Sequence, residues 1–287
     1  MSTVIIGGGI IGASIAHYLS NPSSSSNAQQ DYKIHVIESS GHLFSGASGY
    51  AAGFIAKDWF APALAPLGKL SDPLRLCHFL HETTTSQGVQ WHHPAHVVSV
   101  TTDPTTKIIR SVTVLNSENQ TEYTIACRNL VICAGPWTSR VYKTLFPSAS
   151  ATDRPHISSL AGYSLLVRSP RHSLLHEHDQ YKGKSHAVFT TLPEDDGGFS
   201  PEIFSREGAE IYIAGLNSTE IPLPTRAEGA KAIMDKQQIA KLRKVAVQFL
   251  GKLAENEETV NEDDLEVLRE GLCFRPVSNT GLPIVSR

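Results

Sequence analysis

The first forty residues change from a strand pattern to a helical pattern and back again. An apolar run at residues 3–6 precedes a glycine-rich turn, and residues 13–20 then follow the period of a helix. Three apolar residues fall on one face of this helix: Ile11, Ile15 and Leu19. A second apolar run at residues 33–38 ends in an acid, after the polar segment NPSSSSNAQQ at residues 21–30. This order predicts a β-α-β unit with a long loop before its second strand.

Two further helices are predicted from apolar residues at helical spacing. The first follows Asp72, a residue type that caps helices, has proline at its first position and extends to residue 86. Its expected buried stripe consists of Leu76, Phe79 and Leu80. The second covers about residues 235–252. One face of this second helix carries Ile239, Leu242, Val245 and Phe249.

Strand patterns dominate the remaining segments. The segments ending at Val100, Leu115 and Ile125 alternate in the manner of antiparallel strands. Four more β runs, with turn-rich connections, lie between residues 156 and 217. We therefore expect an antiparallel sheet in addition to the β-α-β unit, which indicates an α/β fold.

Composition and charge narrow the class of protein. The chain has 287 residues, of which 40% are apolar and 18% are charged, and this balance is typical of a globular protein. A formal net charge of -3 gives no electrostatic reason to bind nucleic acid or an anionic membrane. No apolar run approaches the ~20 residues that span a bilayer. We expect a cytoplasmic protein with no nucleic-acid partner and no transmembrane segment.

Cysteine and histidine spacing argues against a metal site. The four cysteines are far apart and form no CxxC pair, so neither a zinc site nor a disulfide framework is indicated. His78 and His81 lie one helical turn apart, but no third convergent ligand is visible. We expect no metal.

The glycine run is the first candidate for chemistry. In Gly7-x-Gly9-x-x-Gly12, the first glycine permits a tight turn, the second lets backbone N–H groups approach a pyrophosphate, and the third allows close helix–strand packing. Glu38, at the end of the second strand, is placed to accept hydrogen bonds from ribose hydroxyls. The motif alone leaves three alternatives: a flavin site, a nicotinamide site, or a β-α-β unit without a dinucleotide.

The segment after Glu38 favours flavin. It reads SSGHLFSGASGYAAGFIAKDW, and its small residues suit a backbone that passes close to a large planar ligand. Here the chain resembles the FAD-dependent oxidoreductases of the D-amino-acid oxidase family, which includes glycine and sarcosine oxidases. In that family the matching loop runs beneath the pyrophosphate and the isoalloxazine ring. The matching residues are Ala47, Ser48, Gly49, Ala52 and Gly53.

Three later segments resemble the same family in the same order. Residues 88–100 resemble the strand pair whose valine main chain contacts adenine, a role that falls on Val97. Residues 129–141 resemble the turn that closes over FAD with an Ala-Gly pair. Residues 271–285 resemble the Gly-Leu-Arg-Pro segment, whose arginine holds a substrate carboxylate, and this implies the role for Arg275. The implied cofactor-binding set is Gly7, Gly9, Ile10, Ile11, Gly12, Glu38, Ser39, Ala47, Ser48, Gly49, Ala52, Gly53, Val97, Ala134, Gly135 and Trp137.

The resemblance implies a fold and a reaction. The fold is a Rossmann-like, glutathione-reductase-like FAD-binding domain with a second, mainly antiparallel β substrate domain. The reaction is oxidation of the C–N bond of a small amino acid or secondary amine by hydride transfer to flavin, with oxygen as the acceptor that yields hydrogen peroxide. A cysteine near the position of Cys273 binds flavin covalently in sarcosine-oxidase-like members, but a buried inert thiol is the commoner state.

The pattern also departs from the family. The section near residues 59–71 is much shorter, Thr280 stands where the family has aspartate, and the sequence stops at PIVSR, so we expect a shortened form. The expected domains are residues 1–150 for FAD, residues 151–270 for substrate, and a truncated return to the FAD domain at residues 271–287. Two alternatives stay open: a catalytically weak or inert flavin-fold binding or trafficking protein, and a nicotinamide-dependent dehydrogenase.

Overall fold

The computed structural model describes most of the chain. The described residues are 2–21, 32–55, 69–70, 72–182, 184–194, 198–254 and 260–286. Most of the section near 59–71, which we expect to be shortened, lies outside these residues, as does the long loop predicted at residues 21–30 apart from its first residue.

A parallel sheet forms the first layer, as the β-α-β pattern predicts. Its four strands, in sheet order, are β5 (Gln90–His92), β2 (Lys33–Ile37), β1 (Ser2–Ile6) and β9 (Asn129–Ile132). All three strand pairs are parallel. In chain order this arrangement is third, second, first, fourth, which is the strand order of a Rossmann half-fold. The order reverses between β1 and β9, so the carboxyl ends of these two strands mark the expected ligand crevice.

Helix α1 (Ile10–Ser20) lies against this sheet through its small residues. The buried residues are Gly12, Ala13 and Ala16, whereas Ile11 is 60% exposed and Leu19 is 40% exposed. The expectation that Ile11, Ile15 and Leu19 form the packed face was therefore wrong for its two outer members. The physical reason is close packing, because only a face of glycine and alanine allows the helix axis to approach β1 so closely.

Helix α3 (Pro73–Ser86) follows the short helix α2 (Ala47–Tyr50) and the two-residue strands β3 (Phe54–Ile55) and β4 (Lys69–Leu70). Asp72 caps α3 as predicted, because its carboxylate accepts hydrogen bonds from the backbone N–H groups of Leu74 and Arg75 at 2.9 and 3.1 Å. The buried residues of α3 are Cys77, Leu80 and Thr84. Phe79, predicted in the buried stripe, is 59% exposed. The buried face of α3 is thus rotated about the helix axis by part of a turn, relative to the face that the spacing of apolar residues predicts.

A three-stranded antiparallel meander lies on the parallel sheet. It consists of β6 (Ala95–Thr102), β7 (Ile109–Asn116) and β8 (Glu122–Ala126), in that order. Val97, Val112 and Val114 of the meander pack with Val4 and Ile6 of β1 in one buried cluster. Helix α4 (Thr138–Leu145), which follows β9, closes this cluster with Leu145.

The second layer is a five-stranded antiparallel sheet, as the β runs after residue 156 predict. Its order is β11-β12-β13-β10-β14. The strands are β10 (Ile157–Arg168), β11 (Ala187–Phe189), β12 (Glu202–Arg206), β13 (Glu210–Ser218) and β14 (Glu266–Ser278). Strand β14 runs through the expected domain boundary at residue 270 and pairs with β10 along its whole length.

Helix α5 (Lys236–Leu250) covers one face of this sheet. Its Ile239, Leu242 and Val245 are buried, as the pattern predicts, against Tyr163 and Leu165 of β10. Phe249, predicted on the same face, is 40% exposed. The other face of the sheet is directed toward the parallel layer, where Leu166, Phe204 and Tyr212 pack with Ala52. None of the described helices is long and apolar enough to cross a membrane.

Candidate cofactor and substrate site

The glycine motif occupies the crevice where the strand order of the parallel sheet reverses. Gly7 has φ +104°, a conformation that favours glycine, and its N–H donates to the carbonyl of Ile37 at 2.8 Å. A side-chain carbon at Gly7 would lie 2.7 Å from the carbonyl carbon of Cys133 and 3.1 Å from Cα of Ala134. The turn after β1 therefore touches the turn after β9, and this contact requires a residue without Cβ.

The other two glycines of the motif shape the start of α1. A Cβ at Gly12 would overlap the carbonyl oxygen of Gly7 and lie 3.3 Å from Cγ2 of Ile5, which is the close helix–strand approach that the motif predicts. Gly9 is the N-cap and offers no side chain to the first turn. The backbone N–H of Ile10 donates to Oγ of Ser48 at 2.9 Å. Ser48 thus lies at the positive end of α1, beside the glycines.

Glu38 is held by the backbone around it. Its Oε2 accepts from the N–H of Gly8 at 2.8 Å, and its Oε1 accepts from the N–H of Ser40 at 2.8 Å and from Oγ of Ser39 at 3.4 Å. The carboxylate is therefore fixed at the end of β2 with its charge next to the glycine turn. Gly8 and Ser40 were not in the predicted set, although each is a direct neighbour of a predicted residue.

The small-residue loop passes beside the same turn. A Cβ at Gly49 would overlap the carbonyl oxygen of Phe44, so the loop doubles back on itself at a point where only glycine fits. Gly53 has φ +84°, a second position that favours glycine. Ala47 begins α2, and Ala52 packs on the apolar cluster of the second sheet. The loop therefore lies between the two layers.

The structure brings most of the predicted cofactor residues to one crevice. Residues 7–12, Glu38 and Ser48 are linked by the contacts above, and Ala134 lies beside Gly7. Gly135 has φ +53° and open space around its Cα. Val97 is different, because its side chain is buried in the cluster beneath the meander. Trp137 directs its indole N–H to the carbonyl of Pro224 at 2.7 Å, so its polar atom already has a protein partner.

Arg275 lies on the face of the second sheet that is directed toward the loop. In β14 the residues Arg269, Gly271, Cys273 and Arg275 alternate with residues that face α5. A Cβ at Gly162 of β10, which is the register partner of Cys273, would lie 2.6 Å from Nη2 of Arg275 and 2.7 Å from Oδ1 of Asn217. Nη2 donates a hydrogen bond to that oxygen. Across the described ranges, no carboxylate lies within 4.0 Å of the exposed guanidinium of Arg275.

Cys273 is buried two residues before Arg275. Burial raises the pKa of its thiol, while the guanidinium groups of Arg275 and Arg269 oppose that shift. Cys133, beside Gly7, has its pKa raised to about 11 by burial. Both sulfur atoms therefore carry a proton at neutral pH, and a thiolate is the form that reacts.

Two groups that contact the loop were missed by sequence reasoning. Arg206, at the end of β12, donates a hydrogen bond to the carbonyl of Ala51, and Arg269 donates to the carbonyl of Gly49 at 3.1 Å. Their guanidinium carbons lie over the rings of Tyr212 and Tyr50, at 4.5 and 4.7 Å from the ring centres. No motif includes these arginines, and the spacing of Arg269 from Arg275 on one strand face is the single pattern that could have suggested Arg269.

A histidine pair links β2 and β5 of the parallel sheet. Nδ1 of His35 is 3.1 Å from Nε2 of His92, and Nδ1 of His92 is 2.7 Å from the hydroxyl of Tyr123. Burial, with help from His92 and Lys33, lowers the pKa of His35 to about 4. Burial also lowers the pKa of His92. Both imidazoles are thus neutral at pH 7, and they join β2 to β5 rather than facing the crevice glycines.

The chain matches one protein family almost throughout. The model of the family described as FAD dependent oxidoreductase (DAO) matches residues 2–71 and 63–287. A provisionally assigned oxidoreductase of Schizosaccharomyces pombe is 23% identical, over 99% of this chain and 85% of the relative. That alignment extends over 367 positions, more than the 287 residues of this chain, so part of the relative has no counterpart here.

Solved structures of low identity share the fold. Glycine oxidase from Geobacillus kaustophilus is 16% identical with a TM-score of 0.63, over 98% of this chain and 84% of that protein. Glycerol-3-phosphate dehydrogenase from Bacillus halodurans, complexed with FAD, is 16% identical with the same TM-score of 0.63. This chain, 96% of which is covered, spans 57% of the length of that dehydrogenase. The family match extends over both sheets and the crevice between them, and the chain belongs to the DAO family of FAD-dependent oxidoreductases.

Proposed function

We propose that this FAD-dependent oxidoreductase oxidises the C–N bond of a small amino acid or secondary amine and passes the electrons to oxygen. The observation that carries the proposal is Arg275, an exposed guanidinium on the loop-facing side of the second sheet that has no carboxylate partner among the described residues. A glycine oxidase and an unusual amino acid oxidase share the fold, which supports amine oxidation in general.

The crevice fits a dinucleotide. Gly7, Gly9 and Gly12 keep the turn before α1 free of side chains. The first N–H groups of α1, which have no partner within the helix, would face a pyrophosphate at its N-terminus. Oγ of Ser48 already accepts from one of these groups, so it is placed to contact a phosphate as well. Glu38 presents a fixed carboxylate to ribose hydroxyls, as its position at the end of β2 predicts.

The same proposal assigns the remaining residues. Ala47, Gly49, Ala52 and Gly53 of the loop, together with Ala134 and Gly135 of the turn after β9, would hold the flavin between the two layers. Val97 would contribute its main chain, since its side chain is buried in the cluster. We propose residues 1–150 as the FAD-binding domain and residues 151–270 as the substrate domain. Because β14 belongs to the second sheet, Arg275 reaches the site from the substrate side.

Arg275 would hold the substrate carboxylate. Guanidinium grips a carboxylate through two parallel hydrogen bonds, and Gly162 leaves the space in which the guanidinium lies. Asn217 fixes one of its nitrogens, which reduces the freedom of the side chain before substrate binds. When bound, FAD supplies the acceptor for a hydride from the substrate carbon. The chain has to hold that C–H bond against the ring and keep water out, and this chemistry needs no catalytic base.

A substrate pair tests the proposal. The purified chain is screened for peroxide release with small amino acids, secondary amino acids and the corresponding amines that lack the carboxylate. Loss of a charge-assisted pair costs about 1.5–3 kcal/mol, so Arg275→Met should raise KM for the carboxylate substrate roughly 10- to 150-fold. KM for the amine without a carboxylate should not change.

Arg243→Met is the matched control, because Arg243 pairs with Asp263 at the surface at 2.6 Å, away from the loop. This variant should keep both KM values. Bound flavin with no turnover on any amine would refute amine oxidation and support a binding role. Turnover with the same KM change on both members of the substrate pair would refute the role of Arg275.

A further inference from the structure

Three consecutive backbone carbonyls of the loop are held by side chains of the second sheet. Arg269 of β14 donates to Gly49, the hydroxyl of Tyr212 of β13 donates to Tyr50 at 2.8 Å, and Arg206 of β12 donates to Ala51. The donors come from three strands and the acceptors from one short segment. We call Arg206, Tyr212 and Arg269 the carbonyl clamp.

The clamp is buried to a degree that is unusual for arginine. Arg206 is 6% exposed and Tyr212 is 4% exposed, while Arg269 is half-buried. Removing a guanidinium from water costs several kcal/mol, which is more than a hydrogen bond that only fixes a loop usually returns. Nε of Arg206 is buried and has no hydrogen-bond partner among the described residues. The clamp therefore contains an unsatisfied N–H donor as well as a buried guanidinium charge, and both are unfavourable for folding.

The charge of the clamp is not balanced by a carboxylate. In the described part of the chain, no acidic side chain lies within 4.0 Å of Arg206 or Arg269. The acids that act on Arg206 from a distance, Asp72 and Glu210, are engaged elsewhere. Asp72 caps α3, and Glu210 pairs with Arg168 at 3.6 Å. Apart from these two carboxylates, which lie more than 4.0 Å from Arg206, tyrosine rings and carbonyl dipoles are what offset the two guanidinium groups against the loop.

We infer that the carbonyl clamp positions the flavin-binding loop and supplies positive charge that favours the reduced, anionic flavin over the oxidised, neutral one. The inference rests on the proposed placement of the flavin against residues 47–53. It assigns the three side chains as positioning residues, because they act on the flavin through the loop and through space rather than through a reacting atom. Arg275 stays separate, because it lies six residues, or three repeats of the pleat, farther along the same face of β14.

Two measurements on the FAD-loaded chain separate positioning from charge. The dissociation constant for FAD reports loop geometry, and the midpoint potential, measured by titration against a redox dye, reports the relative binding of the reduced and oxidised forms. Arg206→Met should weaken FAD binding about tenfold or more. It should also lower the midpoint potential, and a tenfold loss of preference for the reduced form corresponds to about 30 mV for a two-electron couple. Arg206→Lys, which keeps the charge, should restore the potential.

Tyrosine variants supply the matched control. Tyr212→Phe removes only the hydroxyl that holds Tyr50, so it should weaken FAD binding severalfold and leave the potential unchanged. Tyr163→Phe removes an equally buried hydroxyl on the opposite face of the same sheet, which accepts from the N–H of Asp235 at 3.4 Å, and should change neither quantity.

A chain that binds FAD with the same affinity and potential in Arg206→Met, Arg206→Lys and Tyr212→Phe would overturn the inference while leaving the proposed function intact. A loss of affinity that is equal in Tyr212→Phe and Tyr163→Phe would overturn the positioning role. A parent chain that takes up no FAD would overturn the proposed site itself.

Discussion

The close contact at Gly12 gives the sharpest test of the crevice. A Cβ at this position would overlap the carbonyl oxygen of Gly7 and lie 3.2 Å from its carbonyl carbon and 3.3 Å from Cγ2 of Ile5. The first two of these atoms are backbone of the glycine turn after β1, so Gly12→Ala can be accommodated only if α1 moves away from β1. Overpacking against backbone costs about 3 kcal/mol, and the better helix propensity of alanine returns about 1 kcal/mol. The net loss is therefore about 2 kcal/mol.

Gly88→Ala is the matched control for this substitution. Gly88 has φ +88° but nothing within 4 Å of a Cβ, so its cost is conformational alone, at about 1–2 kcal/mol. Thermal unfolding and the dissociation constant for FAD are measured on both variants. Gly12→Ala should lower Tm by roughly 4–8 °C and weaken FAD binding at least tenfold, because the first turn of α1 is displaced. Gly88→Ala should leave the affinity for FAD unchanged. Equal affinities in Gly12→Ala and the parent would refute the argument.

Three further predictions use other parts of the chain. The pKa of His35 is lowered to about 4, so below pH 6.5 the unfolded state binds a proton that the folded state does not. The free energy of unfolding, measured with urea, should therefore fall by up to about 3 kcal/mol between pH 6.5 and 4. The fall should be weaker in His35→Gln, and an equal pH dependence in both proteins would count against the assignment. Because burial raises the pKa of Cys273, iodoacetamide should label this thiol only after unfolding. Flavin should stay in the supernatant after acid precipitation, and a flavin-bearing peptide in mass spectrometry would show a covalent link instead. Asp72→Ala should cost about 1 kcal/mol by loss of the cap on α3, with most of it recovered in Asp72→Ser, and a thermal midpoint equal to that of the parent would contradict the capping role.

The fold and the family could be predicted from local patterns. The β-α-β unit, the four later β runs and the helix that begins near residue 235 are all present, because each depends on periodicity within one segment. The glycine motif was informative in part for the same reason, since Gly12 contacts Gly7 and Ile5 of the same unit. Gly7 instead contacts Cys133 and Ala134 of a distant segment. The fold class follows from these local signals taken together, whereas the flavin cofactor was expected from the resemblance of later segments to the D-amino-acid oxidase family.

Packed faces were harder to predict. Ile11 and Phe79 look like core residues by their spacing, yet both are more than half exposed. Apolar periodicity shows that a helix has a buried side, but the side is selected by how closely the partner backbone approaches. In α1 the approach is so close that only Gly12, Ala13 and Ala16 fit. In α1 the buried face is therefore marked by the spacing of small residues, and the spacing of large apolar residues did not identify it.

Arg206 of the clamp could not be predicted at all. Arginine is normally exposed, and nothing in EIFSR marks Arg206 as a residue with 6% of its surface accessible. Its burial depends on Ala51, which is 155 positions away in the sequence. Contacts at such separation are a property of the assembled layers and leave no trace in a single sequence.

The pairing of β14 with β10 also restricts how this chain can change. Arg269 and Arg275 are six positions apart on one extended strand, about 20 Å along it, and an even separation keeps both on the same face. Deleting or inserting one residue between them would turn one guanidinium toward α5 and into a cluster of apolar side chains. Length variation near the site is thus confined to the turns at either end of this strand. Laboratory evolution of substrate preference should accept changes there and reject single-residue length changes within the strand.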